Sequence, residues 1–517
     1  MQVSARTSLE QAICAWREAL GGSRVMVETG RYNADTSSFA GEIPVALRPV
    51  NTEQVQDAVR IAQRFGIAIY PLSTGHNWGY GTSVPVRSPG AIVDLSAMNK
   101  ILEFDEELGV VTMEPGVTQG QLSEYLAARG LPFMVPVTGA GPSCSVVANA
   151  LERGFGVTPM TDHFGAVMSL KAVLPSGELY ESYMRTFPQA GGAQGYRWGT
   201  GPYLDGLFSQ SNLGIVVDAS VALQRTSERC GALLFVLDSS EQLEGAARQI
   251  RELLRAAGAN IGGINLMSRA RVECMLGGAR NISGSAATVP PGAWFGFGSV
   301  YGSRELYGPT CALVKRMLRG RVRGIHVYTA TDVKRLRWLS AVAKAAGWSG
   351  LTGMVERLAA AVQVVAGVPS TFALPLAYAK SGRARDAADL DPARDGCGLF
   401  WYSPIVPMRT GVVKQYVEFA ERICGKHGIV AAITLTSLSP RCFASTIPLL
   451  FERGNAGAED AARLCFEELY DAGTRLGFVP YRMGAQFMPM LASSEVASAI
   501  KAALDPSGVL APGRYQL

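Results

Sequence analysis

A strand-like segment, Ile67 to Leu72, runs directly into the loop Ser73-Thr74-Gly75-His76-Asn77-Trp78-Gly79-Tyr80-Gly81. Small residues and glycines placed straight after a buried strand expose successive backbone N–H groups, and such a nest can surround a pyrophosphate. Taken alone, the same loop is equally an ordinary glycine-rich turn. Its surroundings are those of a layered α+β unit. A helix over Thr52 to Phe65 stops at Gly66 and feeds the strand, and an earlier helix is expected over Ser8 to Leu20, started by Ser8 and stopped by Gly21-Gly22. Strands follow at Ala91 to Leu95, Ile101 to Phe104 and Val110 to Met113. Thr118 and Gln121 make a capping box for a helix that ends at Gly130. Met168 to Ser182 reads as a hairpin turning at Pro175-Ser176-Gly177.

From about Gly231 the pattern restarts, with a strand at Leu233 to Leu237 and a long amphipathic helix from Ser239 to Ala257. A glycine-rich loop is expected over Gly277 to Gly292 and a polar, mobile stretch over Ser381 to Gly396. The turn-rich segment Leu504 to Arg514 is better suited to docking on another domain than to folding alone.

Several function classes fall away. Net charge is +5 with no basic block, so nucleic acid is not implied as a partner. The longest apolar stretch, Ala359 to Ala379, is broken by Gln363, Gly367, Pro369 and Pro375 and is no membrane span. The first residues lack the apolar region of a secretion signal. Nine cysteines without a CxxC pair fit reduced thiols, which points to a cytoplasmic location. His76, His163, His326 and His427 are too dispersed for a local metal motif, so no metal is expected. Gly139-Ala140-Gly141 begins like a dinucleotide fingerprint, but Cys144 stands where the third glycine belongs, which argues against a Rossmann domain.

The loop, together with Asn149, Glu152-Arg153-Gly154, Asp162-His163, Gly201 to Val216 and the ending Asp505 to Arg514, resembles the vanillyl-alcohol oxidase / p-cresol methylhydroxylase flavoproteins. The resemblance covers nearly the whole chain. It implies an α+β, two-domain FAD-binding fold of the p-cresol-methylhydroxylase type with an inserted α+β cap domain. Residues 1–228 and 476–517 would form the FAD-binding domain and 229–475 the substrate cap. FAD contacts are implied for Pro71, Ser73, Thr74, Gly75, His76, Asn77, Gly79, Gly139, Ser145, Asn149, Gly214, Ile215, Val216 and Arg514. A homodimer or larger homo-oligomer is a further, weaker expectation.

In the phenol-oxidising branch of that family, three residues hold the phenolic oxygen, and their counterparts here are Tyr80, Tyr481 and Arg482. A free phenol has a pKa of about 10, so ionising it near pH 7 needs a shift of about three units, or roughly 4 kcal/mol. The implied activity is FAD-dependent oxidation of a small para-substituted phenol through a quinone methide, by an oxidase rather than a cytochrome-linked dehydrogenase. Oxidative decarboxylation or desaturation of a tyrosine-derived or phenylpropanoid side chain is favoured over hydroxylation, because the family's acidic residue after Val-Pro is replaced by Val137-Thr138-Gly139. A 4-alkylphenol hydroxylase and a 4-hydroxybenzyl alcohol oxidase are the neighbouring readings. Gly75-His76 also resembles the berberine-bridge branch, whose flavin is bonded to such a histidine. The cap positions used by the phenol oxidases hold Ser445 and Phe451, which cannot form that bond, so His76 is the candidate for a covalent flavin. Two rivals remain: a berberine-bridge-type sugar or alcohol oxidase, and a flavin-binding scaffold without activity.

Overall fold

The computed structural model describes residues 2–88, 90–187, 192–283, 289, 291–345, 352–380, 382–384 and 386–516. Three sheets organise it. The first contains β1 (Val25–Met26), β2 (Val45–Leu47), β3 (Ile69–Leu72) and β4 (Ala91–Asp94) in the order β1-β2-β4-β3, with β2 and β3 parallel to β4. The second is antiparallel, with β5 (Ile101–Asp105), β6 (Val110–Met113), β7 (Val167–Val173), β8 (Leu179–Glu181) and β9 (Ile215–Ala222) in the order β5-β6-β9-β7-β8. The third has eight strands: β10 (Arg229–Leu237), β11 (Asn265–Ser268), β12 (Trp294–Gly302), β13 (Arg323–Tyr328), β14 (Gly398–Tyr402), β15 (Ile405–Pro407), β16 (Thr434–Ser439) and β17 (Cys442–Phe451). Their order is β13-β10-β12-β11-β16-β17-β14, with β15 beside β17.

Local chemistry explains the element that launches the site. In the helix Thr52–Phe65, the Asn51 side chain accepts from the Gln54 amide, and Gly66 closes the far end with φ +63°. Val55, Ala58, Val59 and Ala62 recur at helical spacing and are buried against the first sheet. The Thr118/Gln121 capping box forms as expected, and β7 and β8 pair as the expected hairpin. On β10 the alternation is equally plain: Leu233, Phe235 and Leu237 face the main cap core, while Ala232 and Leu234 pack on the opposite side with the helix Thr352–Val365.

The end of the chain returns to the first sheet. The Ile69 amide donates to Val509 and the Ala511 amide donates to Ile69, which lays Leu510 alongside β3. Before that return, Phe478, Met483, Phe487 and Met488 are buried in the core of the third sheet, so the segment after residue 476 packs first there and only later on the first sheet.

Four expectations need correction. The first helix begins at Gln2, and the Ser8 hydroxyl donates to the Phe65 carbonyl instead of capping a start. Strand pairing in β3 begins at Ile69, because the Ile67 amide is still closing the preceding helix on Ala62. Gly277 and Gly278 lie inside the helix Arg269–Ser283, where a Cβ on Gly278 would collide with the Pro375 carbonyl. Gly278 serves close packing there; of the remainder of that expected loop, 284–288 and 290 lie outside the described residues. The polar stretch is tied down: Asp391 accepts from the Trp78 indole, Asp395 from Tyr378, and Leu390 and Ala393 are buried. Its residues 381 and 385 are not described.

Among the described residues, no helix is long and apolar enough to cross a membrane, and no cluster of His, Cys, Asp or Glu is placed to hold a metal ion. The nine cysteines are all free.

Candidate active site

Residues from all three sheets line one cavity of about 420 Å³, within the usual range for small-molecule sites. The loop after β3 forms one wall. The backbone amides of Thr74, Gly75, His76 and Asn77 find no acceptor among the described residues, and Gly75 takes φ +73°. That open nest is the chemistry a pyrophosphate needs. Thr138, Gly139, Ser145 and Asn149 line a second side, and Gly214, Ile215 and Val216 at the start of β9 line a third. Pro71, Ser73 and Arg514 also face the cavity. These residues fit FAD.

Gly79 is the exception among the candidates, because it is not on the cavity wall. Its amide donates to Thr36 and its carbonyl accepts from the Trp401 amide, while a Cβ would strike the Trp401 ring at 2.3 Å. Glycine is required there so that the cap can approach the loop.

Tyr80, Tyr481 and Arg482 converge on the cavity although some 400 residues separate them in sequence. The Tyr80 hydroxyl lies 2.7 Å from Ser403 Oγ and interacts with the Tyr481 hydroxyl. The Arg482 guanidinium lies 4.4 Å from the centre of the Tyr80 ring, and its Nη2 donates to Asn77 Oδ1 at 2.6 Å. Burial pushes both tyrosine pKa values above the ordinary value, against the pull of Arg482, so both keep their protons and can donate. Burial alone would lower the Arg482 pKa, but Glu152 above all, with the tyrosines, holds it above its usual value.

Glu152 is the hub beneath this group. It pairs with Arg482 at 3.4 Å, accepts from Arg514 and accepts from Tyr515 at 2.7 Å. Arg514 also donates to Tyr70 on β3. Burial acts to raise the Glu152 pKa, but Arg514 and Arg482 overcome it and hold the carboxylate below its ordinary range. Among the described residues lining the cavity, Glu152 is the one carboxylate.

His76 stacks on Trp78 with 4.8 Å between ring centres, and its buried Nδ1 has no partner. Burial lowers its pKa despite Asp391, the Ser143 backbone and Asp389 nearby, so the ring is neutral at pH 7. His163 lies off the cavity, with Nδ1 2.7 Å from the Asn149 amide nitrogen. Burial pushes its pKa down to about 4, against the pull of Asp162, which marks a support for Asn149. Ser445 is buried in β17 and accepts from Tyr416 at 2.6 Å, and Phe451 sits in the cap core.

Sequence reading missed Ser403, Arg271 and Trp401, and it cited Glu152 only as part of a motif. Nothing local marks the first three.

Residues 43–183 match the family model described as FAD binding domain. The chain is 32% identical over 529 residues to 1'-carboxy-chondrochloren decarboxylase of Chondromyces crocatus, covering 98% of this chain and 97% of that protein. It is 27% identical to the flavoprotein subunit of 4-cresol dehydrogenase (hydroxylating) of Pseudomonas putida, covering 98% and 95%. The crystal structure of p-cresol methylhydroxylase with substrate bound superposes with a TM-score of 0.85 at 26% identity, covering 99% of this chain and 97% of that one. Fold and cavity together define an FAD-dependent oxidoreductase with an inserted cap. The chain belongs to the vanillyl-alcohol oxidase / p-cresol methylhydroxylase family.

Proposed function

We propose that the chain oxidises a para-substituted phenol at its benzylic carbon and then releases carbon dioxide or a proton from the side chain. The observation that carries this reading is the convergence of Tyr80, Tyr481 and Arg482 on one cavity. Residues 1–228 with 476–517 would hold FAD, and 229–475 would cover the substrate. When bound, FAD supplies a two-electron acceptor for the hydride. Arg482 places a full positive charge, and the two tyrosines place neutral donors, where the phenol oxygen carries its negative charge. The ionised oxygen pushes electron density to the para position, which weakens the benzylic C–H bond and yields a quinone methide.

The fate of that intermediate turns on a missing base. Adding water requires a group to take the water's proton. Thr138, in the stretch where the family has an acid, is instead locked to Gln119 by hydrogen bonds of 2.9 and 3.0 Å, and Glu152 is committed to two arginines. Loss of carbon dioxide needs no base: the breaking C–C bond supplies the pair that forms the alkene and returns the ring oxygen to phenolate. The names of the relatives, a decarboxylase and a hydroxylating dehydrogenase, mark the two alternatives. Turnover of 3-(4-hydroxyphenyl)propanoate in oxygen-18 water is expected to give an alkene without label, and a labelled benzylic alcohol would sink the reading.

His76 is proposed as the attachment point of the flavin. Its neutral ring on the cavity wall, with a buried nitrogen that has no partner, supports this. Acid-precipitated protein should stay yellow, and a tryptic peptide containing His76 should carry the flavin mass. His76→Ala should release all flavin on precipitation. Release of all flavin from the unaltered protein would refute the bond and leave FAD binding intact.

A further inference from the structure

The cap side of the cavity holds a second arginine whose environment is unlike that of Arg482. Arg271 is 9% exposed, lines the cavity, and has neither Nε nor Nη1 hydrogen-bonded. No carboxylate among the described residues acts on its charge; the Cys274 thiol is its one titratable neighbour. Arg482 and Arg514 share Glu152, whereas Arg271 stands alone. Burial lowers its pKa to about 10, so it remains a cation at neutral pH.

Isolated buried charges are costly even after the protein relaxes around them. The cost is heightened here because Arg271 sits in the first turn of the helix Arg269–Ser283, at the positive end of the helix dipole. Its guanidinium lies 5.3 Å from the centre of the Trp401 ring, and Leu374, Leu376, Ala377 and Leu399 line the same cavity without offering an acceptor. A buried cation on the cavity wall with no carboxylate partner among the described residues calls for an anion that arrives from outside. The amides of Thr74 to Asn77 would serve the FAD pyrophosphate, which leaves Arg271 free of that anion.

We propose that Arg271 binds a carboxylate on the side chain of the substrate, and so selects phenols that carry an anion on the para substituent. The inference rests on the phenol reading above and narrows it. The two arginines then divide the substrate: Arg482 takes the phenolate oxygen and Arg271 the opposite, side-chain end. Guanidinium suits that task because its planar fork pairs both carboxylate oxygens, which an ammonium cannot do.

The test uses reduced holoenzyme without oxygen, which binds substrate without turning over, and calorimetry with 3-(4-hydroxyphenyl)propanoate and with 4-propylphenol. Arg271→Met should weaken the carboxylate about 100-fold and leave 4-propylphenol within about threefold, a charge-assisted pair being lost in one case only. Arg271→Lys should recover part of the loss. Equal weakening of both ligands, or of neither, would overturn the assignment while the phenol reading stands. Loss of flavin from Arg271→Met would also overturn it, by assigning the residue to the cofactor. If the unaltered enzyme neither binds nor is reduced by either phenol, it is the phenol reading that falls.

Discussion

Arg482→Ala is expected to slow flavin reduction by a para-alkylphenol about a thousandfold, because on the proposed reading it removes the one positive charge among the three groups that hold the phenol oxygen. Tyr80 and Tyr481 remain as donors, but neutral hydroxyls recover only part of the roughly 4 kcal/mol needed to ionise a phenol near pH 7. The pH profile separates this from a general structural defect. With Arg482 present the phenol should ionise on binding and the reduction rate should be nearly flat above neutrality. Without it, the rate should climb with pH toward the phenol's own value of about 10. Glu152 keeps Arg514 as a partner, so the variant is expected to fold and to retain FAD. Stopped-flow reduction across pH 6–10 gives the answer; a wild-type rate in the variant, or undiminished turnover of the O-methylated substrate, would show that no phenolate is held there.

Glu152→Gln has the second large effect, and it falls on stability. The carboxylate side chain is 15% exposed and is shared by Arg482 and Arg514, themselves 13% and 16% exposed. Removing the charge strands two buried cations, at about 3–5 kcal/mol. A fall in Tm of about 3–5 °C and partial loss of flavin on purification are expected. The pH dependence follows from the lowered pKa. The stability that Glu152 contributes is complete above its ordinary value of 4.5 and is lost as pH falls through the lower folded value. That acid-sensitive component should be missing in Glu152→Gln. A variant with unchanged Tm and full flavin would mean that the cluster contributes nothing net.

How legible this was depended on how local the cause is. Asn51 and Gly66 frame a helix by rules that act within a few residues, and so do Thr118 with Gln121 and the Pro175-Ser176-Gly177 turn. Gly278 misled because its reason is a distant carbonyl, and Ser381 to Gly396 misled because polarity implied freedom while Asp391 and Asp395 were already bonded. In the site, Tyr80, Tyr481 and Arg482 were found through family resemblance, since no periodicity links a loop residue to a pair four hundred positions later. Arg271 was invisible for the converse reason. A basic residue at a helix start reads as solvent-facing, and only the tertiary structure shows that Ala377 and Trp401 share its cavity.

The return of the tail to β3 sets an order of assembly. Tyr70 and Arg514 are 444 residues apart, and the Arg514 side chain reaches both Tyr70 and Glu152. Ribosomes add about 5–20 residues per second, so roughly 20–90 seconds separate the synthesis of the nest from that of the arginine that completes its floor. Until Arg482 is made Glu152 waits without either of its cations, and until Leu510 follows the edge of β3 lacks the segment that pairs with it. The cap strands, all made in between, can close on one another first. The floor of the site is therefore finished only at the end of biosynthesis, and a chain stopped after the cap would lack the bonds that Arg514 makes to Tyr70 and Glu152.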